Sequence, residues 1–131
     1  MSTIKLDRTS WEYAPYDFCK QAKIAPNRLA YDREGATLIG IVKRSRSGDD
    51  YALSKGLLDL LIRLRELGKR KDESPVQSAI VVLMDGDKIV EQCTAQEMQN
   101  RLKNISPNEG QFGLYWWIKP TTANIDDEAW G

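Results

Sequence analysis

The sequence predicts an α+β (mixed α/β) fold, a single domain in which about three helices pack against a five-stranded mixed sheet in the order α-β-β-α-β-β-α-β. Three observations lead to this prediction. A chain of 131 residues suits one hydrophobic core. Two apolar segments flank a helix with a leucine stripe, which is typical of a parallel crossover. Two pairs of apolar segments are each separated by a short polar turn, which indicates two hairpins.

The first part of the chain is predicted to contain a short helix and a hairpin. Residues 11–23 form an aromatic lead-in to the short helix, and Pro15 suits its first turn. The hairpin strands are Arg28–Arg33 and Thr37–Arg44. The second strand is almost continuously apolar, so we expect it to be covered on both faces. Gly40 within it indicates a close approach by a helix above the sheet.

The strongest predicted helix spans about Tyr51–Leu67, with Asp49-Asp50 as its N-terminal cap and Gly68 at its C-terminal cap. Leucines at spacings of three and four residues form a stripe that we expect to lie on the sheet. These leucines are Leu53, Leu57, Leu60, Leu61, Leu64 and Leu67. Leu58 and Ile62 fall outside the stripe, so either the aromatic N-terminal residues or a second subunit is expected to cover them.

The second part is predicted to contain another hairpin, a helix and a last strand. The turn Asp85-Gly86-Asp87 lies between two apolar segments, which is a strong hairpin signal. Thr94 and Glu97 form a capping box that begins a helix. The predicted elements are the strands Ser78–Met84 and Lys88–Cys93, a helix over about 95–104 and the strand Phe112–Ile118. A right-handed crossover through the long helix makes the strands on either side of it parallel.

The residues that are scarce exclude several kinds of site. The chain has no histidine, so catalytic triads, Cys-His nucleophiles and histidine-ligated zinc are ruled out. Cys19 and Cys93 have no zinc-site spacing, and we expect two reduced thiols. No metal and no cofactor are expected, and the chain is expected not to be an enzyme. An enzyme that holds a divalent metal on converging carboxylates stays open, with the candidates Asp32, Glu34, Asp49 and Asp50.

The N-terminal residues contain no apolar signal region, and no apolar run is long enough to cross a bilayer. We therefore expect a cytoplasmic protein that does not bind membranes. Residues 1–119 are expected to form the domain and residues 120–131 a polar, acidic and flexible tail. The tail resembles the acidic, aromatic C-terminal tips by which single-stranded DNA-binding proteins recruit partners, and Trp130 is its aromatic residue.

Charge is segregated along the chain although its formal net value is zero. Residues 20–71 carry 13 Lys and Arg against 6 Asp and Glu, whereas residues 72–131 carry 4 against 10. Either the two parts interleave in space or the fold has a basic face beside an acidic one. Lys43, Arg44 and Arg46 precede a predicted helix N-terminus and are candidate contacts for an anion or a nucleic-acid phosphate. Against this, the Asp49-Asp50 cap would occupy the same donors and repel phosphate.

The segment Tyr115-Trp116-Trp117 is the largest aromatic cluster of the sequence. On a central strand of the sheet all three rings would lie in the core. On an edge or an open face, Tyr115 and Trp117 would form a platform for stacking or for protein binding. The candidate partner surface predicted from sequence therefore consists of Leu58, Ile62, Tyr115, Trp117 and Trp130.

The succession of a strand ending in Lys43, a long helix and a buried strand resembles the core of PD-(D/E)xK nucleases. That resemblance matches Asp32 to the first acidic residue of the family and Lys43 to its lysine. The position two before the lysine is Ile41, so the central metal ligand of the family is missing. The resemblance therefore implies a degenerate, metal-free relative of these nucleases.

Taken together, these features predict a non-enzymatic cytoplasmic module that acts by protein–protein interaction, with another protein or with a second copy of itself as a homodimer through Leu58 and Ile62. The alternative is a nucleic-acid-associated protein that contacts phosphates through Lys43, Arg44 and Arg46. The two differ in salt dependence, because phosphate contacts release counterions and weaken steeply as salt rises.

Overall fold

A computed structural model describes residues 10–46, 48–110 and 113–121 of the chain. Within these ranges the protein has eight strands and three helices. The strands form two separate sheets. The elements are β1 Trp11–Tyr13, α1 Tyr16–Gln21, β2 Leu29–Asp32, β3 Thr37–Lys43, β4 Tyr51–Ser54, α2 Lys55–Leu67, β5 Ser78–Asp85, β6 Lys88–Thr94, α3 Ala95–Leu102, β7 Asn108–Gly110 and β8 Gly113–Ile118.

The larger sheet has five strands in the order β1-β2-β3-β5-β6. Strands β3 and β5 are parallel, and the other neighbouring strands are antiparallel. The predicted α+β fold with a five-stranded mixed sheet is thus confirmed, as is the parallel pair on either side of the long helix. Parallel strands need a connection that is much longer than a hairpin turn, and here β4 and α2 form most of that connection.

The predicted position of the last strand is wrong. Strand β8 does not join the larger sheet but is the centre of a three-stranded sheet in the order β4-β8-β7. The fifth strand of the larger sheet is instead β1, where Trp11 pairs with Asp32 and Tyr13 with Ala30. The aromatic lead-in therefore contains a short edge strand before its helix, and two short strands elsewhere provide partners for β8.

The predicted start of the long helix is also wrong, because its first residues are extended. Tyr51 and Leu53 of β4 are buried opposite Ile118 and Trp116 of β8, and Ala52 between them is exposed. This alternation of buried and exposed side chains is the pattern of a strand, so packing favours an extended conformation of these residues over a helical one. The helix begins after Ser54, whose Oγ accepts a hydrogen bond from the Leu57 N–H at 3.1 Å. Ser54 is the cap, and Asp49-Asp50 is not.

Helix α2 packs closely on β3. A Cβ built on Gly40 would lie 2.6 Å from Leu61 Cδ1 and 3.4 Å from Leu57 Cδ2, which confirms the predicted close approach. Leu58 is 2% exposed and belongs to the main core, so the chain itself covers it. The prediction that Leu58 forms part of a partner surface is therefore wrong. Ile62 is half-buried and packs against the same core, whereas Leu67, predicted to be buried, is 63% exposed.

The two faces of the larger sheet carry separate apolar clusters. The main cluster joins α2 and α3 to one face and also contains the inner side chains of β4 and β8. The second cluster lies on the other face and includes Ile41 of β3 and Met84 of β5. Cys19 and Cys93 are free thiols. Among the described helices none is long and apolar enough to cross a membrane.

Candidate functional site

The outer face of the three-stranded sheet presents two aromatic rings. Because side chains alternate along β8, Trp116 and Ile118 point inward and are 8% and 3% exposed, and Tyr115 and Trp117 point outward. The outward rings meet edge to face with centroids 4.9 Å apart, and Trp117 is 45% exposed. We call Tyr115, Trp117 and Ala52, the exposed partner of Trp117 on β4, the aromatic face. Although β8 is the central strand of its sheet, only Trp116 of the three rings lies in the core, whereas Tyr115 is half-buried and Trp117 is exposed on the open face.

The inward side of β8 holds the aromatic face in place. The Trp116 indole N–H donates to the Ile105 carbonyl at 2.9 Å, which satisfies its only polar group inside the core. Leu53 and Tyr51 of β4 are buried opposite Trp116 and Ile118. The outward rings therefore stand on a strand whose other side is fixed by packing and by one hydrogen bond.

Glu91 stabilises the same sheet at the C-terminal end of β8. Its buried carboxylate accepts hydrogen bonds from Arg101 Nη1 at 2.8 Å, from the Thr121 N–H at 2.9 Å and from Thr121 Oγ1 at 3.0 Å. Arg101 also donates to the Lys119 carbonyl. A buried carboxylate is stable only when it is paired in this way. Sequence analysis missed this group, because its partners come from α3 and from residues after β8.

The charges beside the aromatic face neutralise one another. Lys119 Nζ lies 2.9 Å from Asp50 Oδ1, and this hydrogen-bonded contact raises the pKa of Lys119. Asp50 directly precedes Tyr51 and Lys119 directly follows Ile118, so this ion pair lies next to the last paired residues of β4 and β8. The rim at this end of the aromatic face thus has no net charge, which favours neutral partners over polyanions.

The predicted anion contacts do not form one basic surface. Arg44 Nη2 lies 2.7 Å from Asp49 and Nη1 lies 3.1 Å from Asp85, while Nε donates to the Gly48 carbonyl. The hydrogen bond that Arg44 donates to Asp49 is the main cause that raises the pKa of Arg44. Arg44 therefore closes its own loop and is not available to a phosphate. Since this loop leads into β4, neither the predicted helix dipole nor the predicted repulsion by a helix cap applies here.

Lys43 and Arg46 are exposed on either side of Arg44. Lys43 lines a pocket with Ile41 and Met84, on the face of the larger sheet that carries the second apolar cluster. Its neighbour Arg44 reaches instead toward Asp49 and Asp85. The basic segment of residues 20–71 and the acidic segment of residues 72–131 also contact each other. The ion pair Arg44–Asp85 is one such contact, and it joins a cation of the first segment to a carboxylate of the second.

The acidic residues considered for a metal site lie apart. Asp32 pairs with Thr37 at the start of β3, and its Oδ1 accepts the Glu34 N–H within the hairpin turn. Lys43 is at the other end of the same strand, about 20 Å away at the usual rise per residue. The pair that the nuclease resemblance requires is therefore not brought together. No group of three or more Asp, Glu or Cys in the described ranges is arranged to hold a metal ion.

Trp130 and nearly all of the predicted tail lie outside the described residues. Comparison with protein families, with characterised proteins and with solved structures gives no match for this chain.

Proposed function

We propose that the protein is a non-enzymatic cytoplasmic module that binds another protein through the aromatic face. The supporting observation is the pair Tyr115 and Trp117, which stand outward on a strand that is firmly packed on its other side. Tryptophan and tyrosine supply large contact areas with little loss of side-chain entropy, and they dominate the energetics of many interfaces.

The occupant proposed for the aromatic face is an uncharged, apolar segment of the partner protein. Ala52 opposite Trp117 leaves room for a side chain to lie against the indole ring. Lys119, two residues after Trp117, is already paired with Asp50, so a charged partner that contacts it would have to disrupt that pair. Apolar burial against the two rings would then provide most of the binding free energy.

The neutral rim separates this proposal from nucleic-acid binding. Stacking proteins that bind single strands combine aromatic rings with a positively charged groove. Here the rings adjoin a neutral ion pair, and Arg44 is held by two carboxylates. Binding through the aromatic face is therefore expected to change little with salt, whereas phosphate contacts would weaken steeply.

The experiment compares Trp117→Ala with Tyr16→Ala, which removes a 64% exposed ring from α1 and serves as the matched control. Immobilised wild type and both variants are used to capture proteins from a cell extract. A captured protein is then purified and titrated against each variant at about 0.1 M and about 0.5 M NaCl. We expect Trp117→Ala to weaken the purified complex by about 30-fold, as for an interface hot spot. Tyr16→Ala should stay within about twofold.

Three outcomes would contradict the proposal. Equal affinity of the wild type and Trp117→Ala for the purified partner would show that the aromatic face is not part of the interface. A steep loss of affinity with salt, together with binding of a single-stranded oligonucleotide, would support the nucleic-acid alternative. A wild-type dimer in sedimentation that Trp117→Ala dissociates would make a second copy of the chain the occupant.

A further inference from the structure

A pocket of about 260 Å³ opens at the C-terminal ends of the parallel strands β3 and β5. Lys43 and Met84, which are paired in register, lie on its wall together with Ile41, Tyr13 and Asn27. The C-terminal ends of parallel strands are a common place for ligands in sheets with crossover helices. This pocket belongs to the larger sheet, and none of its residues is part of the aromatic face.

The lining combines an apolar floor with polar groups. Ile41 and Met84 are each 2% exposed and belong to the second apolar cluster, so they form the floor. Lys43 adds an ammonium group, Asn27 an amide and Tyr13 a phenol that is 45% exposed as a residue. Among the described residues that line the pocket, none is a carboxylate. Such a lining matches a ligand that has one anionic group and one apolar part.

Lys43 differs from its neighbour in how its charge is balanced. Arg44 is paired with two carboxylates, whereas Lys43 has no ion pair with any residue in the described part of the chain. Lys43 is therefore available to an anion without first breaking an internal contact. A charge-assisted hydrogen bond from an ammonium group to carboxylate or phosphate is about twice as strong as a neutral one.

A second cation lies next to the pocket lining. Arg28 follows Asn27 in the chain, is half-buried, and its carbonyl accepts the Ile41 N–H at 2.8 Å. Burial lowers the pKa of Arg28, since no charge within the described ranges compensates it. Asn27 itself has φ 64°, so its backbone turns at the edge of the pocket. Within the described part of the chain, Arg28 and Lys43 thus place two positive charges at this end of β2 and β3.

We propose that this pocket binds a small organic anion, whose carboxylate or phosphate group contacts Lys43 and Asn27 and whose apolar part lies on Ile41 and Met84. Tyr13 would cover the apolar part from the side. The proposal is independent of protein binding through the aromatic face, because the two surfaces lie on different sheets.

The test is an NMR titration of the ¹⁵N-labelled protein with phenyl phosphate as the probe. Benzyl alcohol, which keeps the ring without the charge, is titrated in parallel. We expect saturable shifts at the backbone amides of Lys43, Met84 and Asn27. Lys43→Gln should weaken phenyl phosphate about tenfold or more, because it removes one charged contact. Lys103→Gln, at an exposed lysine after α3, is the matched control and should change the affinity less than about twofold.

The two variants of the pocket, Lys43→Gln and Tyr13→Ala, replace exposed side chains, so we expect both to fold. The NMR spectra would show any loss of folding directly. Tyr13→Ala should weaken phenyl phosphate and benzyl alcohol alike. The proposal is overturned if phenyl phosphate gives no saturable shift, if Lys43→Gln binds it as the wild type does, or if benzyl alcohol binds equally well. Displacement by a single-stranded oligonucleotide with a steep salt dependence would also overturn it in favour of a polyanion surface.

Discussion

Substitution of Gly40 by alanine tests the packing of α2 on the larger sheet. The new methyl group would lie 2.6 Å from Leu61 Cδ1, whereas ordinary contacts begin near 3.4 Å. Leu61 is fully buried, so it has little free space into which to move. The helix must therefore shift away from β3, or Leu61 must adopt an unfavourable rotamer.

The expected magnitude follows from two opposing effects. Overpacking by one methyl group in a dense core costs about 1–3 kcal/mol. Removing the conformational entropy of a glycine in a strand returns about 0.5–1 kcal/mol. The difference between these ranges is about 0–2.5 kcal/mol. We therefore expect Gly40→Ala to lower the free energy of unfolding by about 1 kcal/mol, which corresponds to a Tm lower by about 3–6 °C.

Urea denaturation followed by circular dichroism measures this change. Gly48→Ala is the control, because among the described residues its Cβ would approach Ser45 Oγ at 3.7 Å and nothing closer, and it should stay within about 0.5 kcal/mol of the wild type. Leu61→Ala alone should cost about 2–5 kcal/mol. The double variant should be at least about 0.5 kcal/mol more stable than the two single changes add up to, since the new methyl fills part of the cavity. Additive effects, or a Gly40→Ala variant more stable than the wild type, would refute the close contact.

Four further substitutions test the start of α2, the exposed carboxylate of Asp72 and the buried carboxylate of Glu91. Ser54→Ala should cost about 1 kcal/mol of unfolding free energy, whereas Asp49→Asn should leave the helix content unchanged by circular dichroism. The hydrogen bonds from Arg70 and Ser74 hold the pKa of Asp72 well below its usual range. Its folded-state pKa is lower than its unfolded one, so the stabilisation is present above about pH 4 and is lost as the pH falls. The Tm difference between wild type and Asp72→Asn should thus shrink from pH 7 to pH 2. Glu91→Ala should cost about 2–4 kcal/mol in urea denaturation, since it leaves Arg101 partly buried without its carboxylate.

Local patterns predicted those parts of the fold whose signals are complete within a short segment. The capping box of Thr94 and Glu97 forms as expected, and α3 begins after it. The Asp85-Gly86-Asp87 turn joins β5 to β6, with Gly86 at φ 63°. Gly40 lies under α2, as a small residue in an apolar strand indicates. In each case the residues that decide the structure are neighbours in sequence.

The candidate site was less predictable, because it depends on contacts between distant segments. Tyr115 and Trp117 were recognised as one unit, but the outward orientation of their side chains depends on the pairing of β8 with β4 and β7. Glu91 has no distinguishing pattern in β6, since its partners are ten residues or more away. Neither pairing nor a distributed hydrogen-bond network has a local signature in the sequence.

The boundary between β4 and α2 determines which residues Asp49 and Asp50 contact. Leu53 continues the leucine spacing of α2, so its pattern is equally compatible with a further helical turn and with a buried strand position. Because the strand prevails, Ser54 becomes the cap, and Asp49 and Asp50 are released from the helix start. The two carboxylates then pair with Arg44 and with Lys119.

The same short strand therefore changes both candidate surfaces at once. Without β4, Asp49 and Asp50 would cap the longer helix and would not pair with Arg44 and Lys119. With β4 in place, Arg44 is neutralised, Lys43 remains as a cation available to the pocket, and β8 gains the neighbour that supports Trp117. A substitution that breaks β4, such as Leu53→Pro, should therefore disturb the aromatic face and separate Arg44 from Asp49 together. Separate responses of the two surfaces would contradict this coupling.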